Sequence, residues 1–132
     1  MPYIDIRLAG TAITQAQRDA LLADTTKLMV TVMGKRREVT VVSILEHAKQ
    51  NWAVGGTALR GEDLPGTYVE IKVTHGTNTA QEKAMMIAET SAMLKRLLGE
   101  MQAASYVVIH EIAADSWGYD GLTQAQRKLA QK

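Results

Sequence analysis

One residue near the start of this chain could act as a base without a cofactor. If Met1 is removed, Pro2 becomes the N-terminus and carries a secondary amine instead of an amide. A free α-amino group titrates at about 7.7–8.0, and burial lowers its pKa because burial disfavours the charged form. Such an amine can accept a proton near neutral pH and return it to another atom, which is general acid–base chemistry. Pro2 is therefore the first candidate catalytic residue.

The composition removes most other kinds of chemistry. The chain contains no cysteine, which excludes disulfides, thiolate nucleophiles and cysteine-ligated zinc. Its three histidines, His47, His75 and His110, lack the spacing of metal ligands. We therefore expect no metal and no cofactor, so any reaction has to use an amine, carboxylates, hydroxyl groups, arginines or these histidines.

Charge and hydropathy bound the protein class. The 132 residues are 46% hydrophobic and 22% charged, which is typical of one globular domain. The formal net charge is +1 and the longest basic run is Lys35–Arg37, so no nucleic-acid partner is expected. No stretch reaches the roughly 18–20 apolar residues of a membrane span, and the start lacks a signal-peptide pattern. We expect a cytoplasmic protein without a membrane partner.

The elements that would position Pro2 occur twice. Sliding the sequence along itself gives a gapless match at an offset of 65 residues. The aligned pairs include Tyr3 and Tyr68, Ile6 and Ile71, Thr14 and Thr79, Gly34 and Gly99, Glu46 and Glu111, and Trp52 and Trp117. We infer a single domain of two units, 2–58 and 67–122, with a linker at 59–66 and a tail at 123–132.

Each unit contains two segments with the character of strands. Residues 3–8 and 68–73 alternate apolar and polar side chains, which predicts half-buried strands. Residues 38–46 and 104–112 are rich in Val, Ile, Thr and Tyr, as pleated structure favours. Each unit therefore has two predicted strands separated by about 30 residues, which is long enough for a helical crossover.

The segment between those strands has the signals of a helix. Thr14–Gln17 and Thr79–Glu82 are capping boxes, in which the threonine hydroxyl accepts from the third helical amide and the Gln or Glu side chain reaches back. Gly34 and Gly99 stand where each helix should end, because a residue in the left-handed conformation often closes a helix. Each unit is predicted to be β-α-β, with parallel strands and a right-handed crossover.

The two units together predict an α+β fold, with a four-stranded sheet backed by two helices. Residues 51–56 and 116–121 are glycine-punctuated and predict short hairpin arms, and a recurrence of Thr-Gln-Ala-Gln-Arg at 123–127 predicts a short C-terminal helix. The helices leave one sheet face uncovered. That face carries Tyr3, Asp5, Arg7, Tyr68, Glu70 and Lys72. We expect it to be the interface of a closed homo-oligomer.

These features resemble the tautomerase superfamily, whose type member is 4-oxalocrotonate tautomerase. The resemblance rests on a proline directly after Met1, a helix opening Thr14-x-x-Gln17, the β-α-β unit and the arm Asn51-Trp52-x-x-Gly55-Gly56, and it covers nearly the whole chain. It is similar to the members in which two units are fused. The resemblance implies a homotrimer of fused chains and an amino-terminal proline that acts as catalytic base or acid.

The resemblance also implies roles for individual residues. Pro2 matches the catalytic proline, while its counterpart Thr67 in the second unit has no free amine. Trp52 matches the aromatic residue that walls the family's pocket, and Trp117 has the same place in the second unit. Tyr119 resembles a tyrosine that positions water or substrate in the family's dehalogenase.

This chain departs from the family at the arginines that hold substrate carboxylates. Those positions hold Ile13, Thr40, Asn78 and Ser105. In the fused dehalogenase and decarboxylase the arginines follow the second unit's first strand, where this chain offers Lys72, Thr74 and His75. Donors that could stabilise a developing enolate are His75, Arg7, Lys72, the Lys35–Arg37 segment of a neighbouring subunit and the glycine amides of the first arm. For Arg7 the alternative is a salt bridge to Asp5 or Glu70.

The sequence therefore predicts a cofactor-independent keto–enol tautomerase that acts on a small 2-oxo acid or a related carbonyl compound. The alternatives are a decarboxylase or hydratase-type dehalogenase that uses protonated Pro2 as an acid, and a catalytically silent trimeric scaffold. The predicted site consists of Pro2, with Trp52, His75, Arg7, Tyr119 and Trp117 as substrate-binding residues.

Overall fold

Two copies of a β-α-β unit, followed by a short helix, build this fold. The computed structural model describes residues 2–130. The elements are β1 (Tyr3–Ala9), α1 (Gln15–Thr31), β2 (Val41–His47), β3 (Ala53–Val54), β4 (Thr57–Ala58), β5 (Gly66–Thr74), α2 (Ala80–Leu98), β6 (Tyr106–Ile112), β7 (Gly118–Tyr119), β8 (Leu122–Thr123) and α3 (Gln124–Ala130). The state of Met1 and the last two residues of the predicted tail lie outside the described residues.

One sheet joins the two units in the order β2-β1-β5-β6. Within each unit the strands are parallel, whereas β1 and β5 pair antiparallel at the centre. In the central register Tyr3 lies opposite Lys72 and Ala9 lies opposite Gly66. The α+β prediction of two β-α-β units that share a four-stranded sheet is confirmed.

The second strand of each unit begins later than its β-branched composition indicated. Residues 37–39 form a short 3-10 turn, closed by a hydrogen bond from the Thr40 amide to the Arg37 carbonyl, so β2 starts at Val41 rather than at residue 38. In the second unit β6 starts at Tyr106 rather than at residue 104. There the Ser105 hydroxyl is used as an acceptor by the amide of Thr67.

Both helices begin as predicted. In each capping box the threonine hydroxyl accepts from the backbone N–H three residues on, and the Gln17 or Glu82 side chain accepts from the threonine N–H. The backbone hydrogen bond from Thr79 holds the pKa of Glu82 below its ordinary value. Helix α2 ends with Gly99 as its C-cap. Helix α1 ends earlier than predicted, because its C-cap is Val32 and Gly34 follows two residues later.

The core lies between the helices and one face of the sheet. Alternate residues of the two central strands are fully buried there, namely Ile4, Ile6, Leu8, Val69, Ile71 and Val73. They meet buried side chains of the helices, among them Leu21, Met29, Met86 and Leu94. The two units differ in this core at a pair of equivalent threonines, Thr25 and Thr90. The buried Thr25 hydroxyl donates to the sulfur of Met93, while the Thr90 hydroxyl has no hydrogen-bond partner among the described residues.

The opposite face of the sheet carries charged and aromatic side chains. Asp5 and Arg7 form an ion pair at 3.0 Å, which is the salt bridge considered as the alternative role of Arg7. The flanking strands leave Leu45 50% exposed and Tyr106 66% exposed on the surface of the single chain. Among residues 2–130 no helix is long and apolar enough to cross a membrane.

Candidate active site

The ends of the sheet separate the predicted site residues into two groups. Because β1 and β5 run antiparallel, the N-terminal end of β1 lies beside the C-terminal end of β5. The eight residues from Pro2 to Ala9 span about 23 Å at the rise of a β-strand. We refer to the end that holds Pro2 and Thr74 as the proline end, and to the end that holds Ala9 and Gly66 as the linker end.

Pro2 is buried and its backbone is held by the neighbouring strand. Its carbonyl accepts a hydrogen bond from the Val41 N–H at 3.3 Å. The antiparallel register places the position before Tyr3 opposite Val73, so Pro2 lies near Thr74 at the end of β5. The fold thus places a strand, and not a mobile tail, immediately after the candidate amine.

A cavity of about 260 Å³ adjoins the proline end. Its lining comes from the turn before β2, the loop after β5, the second arm and α3, and it consists of Arg36, Val39, Thr74, His75, Gly76, Thr77, Ala114, Tyr119, Gln124, Arg127 and Lys128. Pro2 itself is not a lining residue. Thr74 and Val39 connect the cavity to the strand positions next to Pro2, so a small molecule in the cavity would lie beside the start of β1.

Basic side chains dominate the charge of this cavity. Arg36, Arg127 and Lys128 line it, and residues 2–130 contribute no carboxylate to the lining. Arg36 also forms a salt bridge with the exposed Glu38. The hydrogen bond that Arg36 donates to the Glu38 carboxylate raises the pKa of Arg36. Lys35 lies just behind, where its ammonium donates to the Thr77 hydroxyl at 2.8 Å. Burial lowers the pKa of Lys35, although the charge of Glu82 opposes that effect.

His75 contributes to the rim of the cavity. Its amide donates to the Ile112 carbonyl at 2.8 Å, which fixes the loop after β5. Its imidazole is 74% exposed and lies 3.8 Å from the Glu111 carboxylate. The pKa of Glu111 is lowered, chiefly by the hydrogen bond from Lys83. His75 is therefore an exposed side chain beside an ionised carboxylate.

The second arm, which contains β7 and β8, forms part of the cavity wall. The turn between β7 and β8 consists of Asp120 and Gly121, both with positive φ, as the tight hairpin turns that match strand twist require. Tyr119 precedes that turn and lines the cavity. Trp117 lies at the base of the arm, and its indole N–H donates to the Thr74 hydroxyl at 3.1 Å. The proline end therefore holds Pro2, His75, Trp117 and Tyr119 together.

The first arm lies at the linker end. The indole of Trp52 packs directly on the backbone of Gly66, where a Cβ atom would overlap its Nε1. A second cavity of about 350 Å³ lies there, lined in part by Trp52, Arg7, His47 and Thr67. Within one chain Trp52 therefore lies at the opposite end of the sheet from Pro2 and Tyr119.

Arg7 also lies at the linker end, where its guanidinium stands 5.6 Å from the centroid of the Tyr68 ring in addition to pairing with Asp5. The hydrogen bond that Arg7 donates to the Asp5 carboxylate raises the pKa of Arg7. Thr67, the counterpart of Pro2, uses its backbone N–H to donate to the Ser105 hydroxyl at 3.2 Å. Contact of Arg7 or Trp52 with a substrate at Pro2 stays a prediction that needs a neighbouring subunit.

The sequence did not predict several of the cavity residues, among them Gln124 and Arg127. Both belong to the tail beyond the second unit, which has no counterpart in the 65-residue repeat. The only signal was the recurrence of Thr-Gln-Ala-Gln-Arg, which was interpreted as a helix start. Thr123 does cap α3, since its hydroxyl accepts from the Gln126 N–H and its own N–H donates to the Gln126 side chain.

Comparisons with known proteins match both units. The family model described as tautomerase enzyme matches residues 2–60 and 68–127. The probable tautomerase K2 of Dickeya dadantii (strain 3937) is 37% identical over 59 residues, which cover 45% of this chain and 88% of that protein.

Two solved structures share the fold over nearly the whole chain. One is Pt0534 inactivated by 2-oxo-3-pentynoate, with a TM-score of 0.84, 16% identity and coverage of 95% of this chain and 98% of that one. The other is the Q0 fused 4-OT, a symmetric trimer, with a TM-score of 0.80, 20% identity and coverage of 93% and 96%.

Proposed function

Because this chain belongs to the tautomerase family, we propose that it is a cofactor-independent keto–enol tautomerase whose base is the amine of Pro2. The substrate is a small 2-oxo acid or a related carbonyl compound. The observation that carries the proposal is the position of Pro2, which is buried just before β1 at the end of the sheet that adjoins a cavity with a basic lining. The proposal requires that Met1 is removed, since an amide nitrogen has no lone pair available for a proton.

The amine performs both proton transfers. Its nitrogen takes the proton from the enol hydroxyl or from the carbon next to the carbonyl, and delivers it to the other atom of the enolate. Burial favours the neutral amine, since it disfavours the cation. The hydrogen bond from Val41 to the Pro2 carbonyl holds the ring in place, so little reorientation is needed between the two transfers.

The enolate oxygen needs a hydrogen-bond donor during the transfer. Arg36 and Tyr119 line the cavity at the proline end, and a guanidinium or a phenol hydroxyl can donate such a hydrogen bond. A cation or hydroxyl aimed at a developing charge stabilises the transition state more than the neutral substrate. We propose Arg36 and Tyr119 for this role, for which the sequence offered His75, Arg7, Lys72, the Lys35–Arg37 segment of a neighbouring subunit and the glycine amides of the first arm.

The working assembly is proposed to be a homotrimer. The uncovered sheet face, with Leu45 and Tyr106 exposed in the single chain, supplies a surface for association. The Q0 fused 4-OT of the same fold is a symmetric trimer. In such an assembly the Trp52 arm of one subunit can approach Pro2 of the next, which would recover its predicted role.

The first experiment measures the intact mass and the activity of the same preparation. Enol–keto conversion of phenylpyruvate is followed for the wild type, for Pro2→Ala and for the control Pro65→Ala. Pro65 is the other proline of the chain and lies before β5, away from the cavity. We expect a mass without Met1 and a loss of about 100-fold in kcat/KM for Pro2→Ala only. Retention of Met1 in active protein would refute the amine mechanism.

A second experiment labels the amine. A 2-oxo-3-alkynoic acid accepts a secondary amine at its alkyne: the N–C bond forms, the amine proton moves to carbon, and no group leaves. Incubation with 2-oxo-3-pentynoate, which inactivates Pt0534, should add one full reagent mass to the Pro2 peptide and abolish turnover. Labelling of a lysine with Pro2 unmodified would contradict the proposal.

The pH dependence separates the base from the acid role. A tautomerase that uses neutral Pro2 gains activity as pH rises through the pKa of the amine, whereas a decarboxylase or hydratase that uses protonated Pro2 loses activity over the same range. The expected profile for phenylpyruvate therefore rises with pH. Activity toward neither class of substrate, in protein that lacks Met1, would leave the silent scaffold as the correct alternative.

A further inference from the structure

The sequence Gln-Ala-Gln-Arg is used twice, and the two arginines have different surroundings. In the first copy the guanidinium of Arg18 lies 3.3 Å from the Glu46 carboxylate. In the second copy no carboxylate among the described residues lies within salt-bridge distance of Arg127. The same local sequence thus produces one neutralised arginine and one whose charge is not balanced.

Arg127 is held in place without being neutralised. Its Cζ lies 3.7 Å from the centroid of the Tyr119 ring, close enough for a strong cation–π contact. Its Nη2 donates to the Tyr119 carbonyl at 2.8 Å. Its Nε and the side-chain nitrogen of Gln124 are buried donors without partners among residues 2–130. A guanidinium that is stacked and oriented in this way loses little side-chain entropy when it binds an anion.

The other polar groups of the cavity favour a negative ligand. Arg36 and Lys128 join Arg127 in the lining, and Lys35 lies behind Thr77. Glu38 balances only Arg36, so the described lining keeps a net positive charge. An anion of planar geometry suits a guanidinium, which can donate two parallel hydrogen bonds to a carboxylate.

We propose that Arg127, held on the Tyr119 ring by α3, binds the carboxylate of the substrate in the cavity at the proline end. This role deepens the proposed tautomerase function and rests on it for the identity of the reaction. It assigns the tail beyond the second unit to substrate selection, with acids preferred over uncharged carbonyl compounds. Gln124, from the same turn of α3, supplies a further donor beside the guanidinium.

The test compares two variants at equivalent places, Arg127→Leu and Arg18→Leu. Binding is measured by NMR titration with phenylacetate and with the uncharged phenylacetamide, and turnover is measured with the enols of phenylpyruvate and of its methyl ester. For Arg127→Leu we expect roughly a 10- to 100-fold loss for both acids and little change for the amide and the ester. Arg18→Leu should change none of the four values.

Pro2→Ala makes the two proposals independent. It should lower turnover of the acid and of the ester by about 100-fold while it leaves phenylacetate binding unchanged. Wild-type turnover in Pro2→Ala would refute the amine mechanism, and the phenylacetate titration would still decide the role of Arg127. Unchanged phenylacetate affinity in Arg127→Leu, or equal losses for charged and uncharged ligands, would overturn the carboxylate role.

A folding defect is separated by a second variant. Arg127→Lys keeps the charge but loses the planar fork and most of the stacking on Tyr119. It should keep part of the preference for the acid and should melt like the wild type. If Arg127→Leu is unfolded at the assay temperature, an Arg127→Lys variant without any loss in the acid series would overturn the proposal, and an acid-specific loss would support it.

Discussion

Replacing Gly66 with alanine is expected to destabilise the protein only while Trp52 keeps its indole. A Cβ atom at position 66 would overlap Nε1 of that ring, whereas the backbone of Gly66 is not in the left-handed region. Overpacking of this kind costs about 1–3 kcal/mol, because the ring or the start of β5 has to move. The substitution therefore measures directly whether the first arm packs against the linker end.

The effect of Gly66→Ala on the free energy of unfolding is expected to change sign when the indole of Trp52 is absent. In a Trp52→Ala background the added methyl group meets no indole, and Gly→Ala then stabilises by about 0.4–1 kcal/mol through the unfolded chain. The two backgrounds should therefore differ by about 1.4–4 kcal/mol. Gly118→Ala is the contrasting variant. Its Cβ would overlap the backbone carbonyl of Leu122, which no side-chain truncation relieves.

The assay is urea unfolding followed by far-UV circular dichroism, since one background lacks a tryptophan. All proteins are compared at one protomer concentration, because association contributes to apparent stability. Equal slopes of free energy against urea would show that the variants unfold the same amount of surface. The reasoning is refuted if Gly66→Ala has the same effect in both backgrounds, because the indole would then not lie on Gly66.

Three further predictions concern buried or charged groups of the two units. Thr90→Val should raise the free energy of unfolding by about 1–3 kcal/mol because it removes an unpaired buried hydroxyl, whereas the matched Thr25→Val loses a partner and should not; equal effects in urea unfolding would contradict this. Trp117→Phe removes the N–H that Thr74 accepts and should cost about 0.5–1.5 kcal/mol, with no added cost in a Thr74→Val background. The pKa of Glu82 is lowered from 4.5, so its carboxylate stabilises the fold above that pH and this stabilisation is lost as the pH falls below it. The higher melting temperature of the wild type relative to Glu82→Gln should thus be present at pH 7 and should shrink as the pH falls below 4.5.

The repeat, the sheet and the helix starts were predictable because they depend on local patterns. Alternation identifies β1 and β5, and the capping boxes at Thr14 and Thr79 locate the helices to within a residue. The end of the sheet at which each arm lies was not predictable. An offset in sequence does not reveal that β1 and β5 dock antiparallel, and this arrangement sends Trp52 to the linker end and Trp117 to the proline end.

The basic residues of the cavity illustrate a second limit. Arg127 follows the last repeated position, and its partner Tyr119 replaces Val54 of the first unit, so comparison of the two units gave no signal for either. Arg36 was expected to act from a neighbouring subunit, yet it lines the cavity of its own chain. Contacts between elements that are distant in sequence decide both cases.

The antiparallel centre of the sheet has a consequence for protein engineering. The N-terminus and α3 both lie at the proline end, so a short connector could join them, and the chain could be opened in the linker 59–66 instead. A circular permutant of this kind that begins at residue 67, with Thr67→Pro, would carry its amine at the cavity that Trp52 and His47 help to line. The position of the chain break, and not the architecture of the sheet, would then determine whether the proline end or the linker end of the sheet carries the reactive amine.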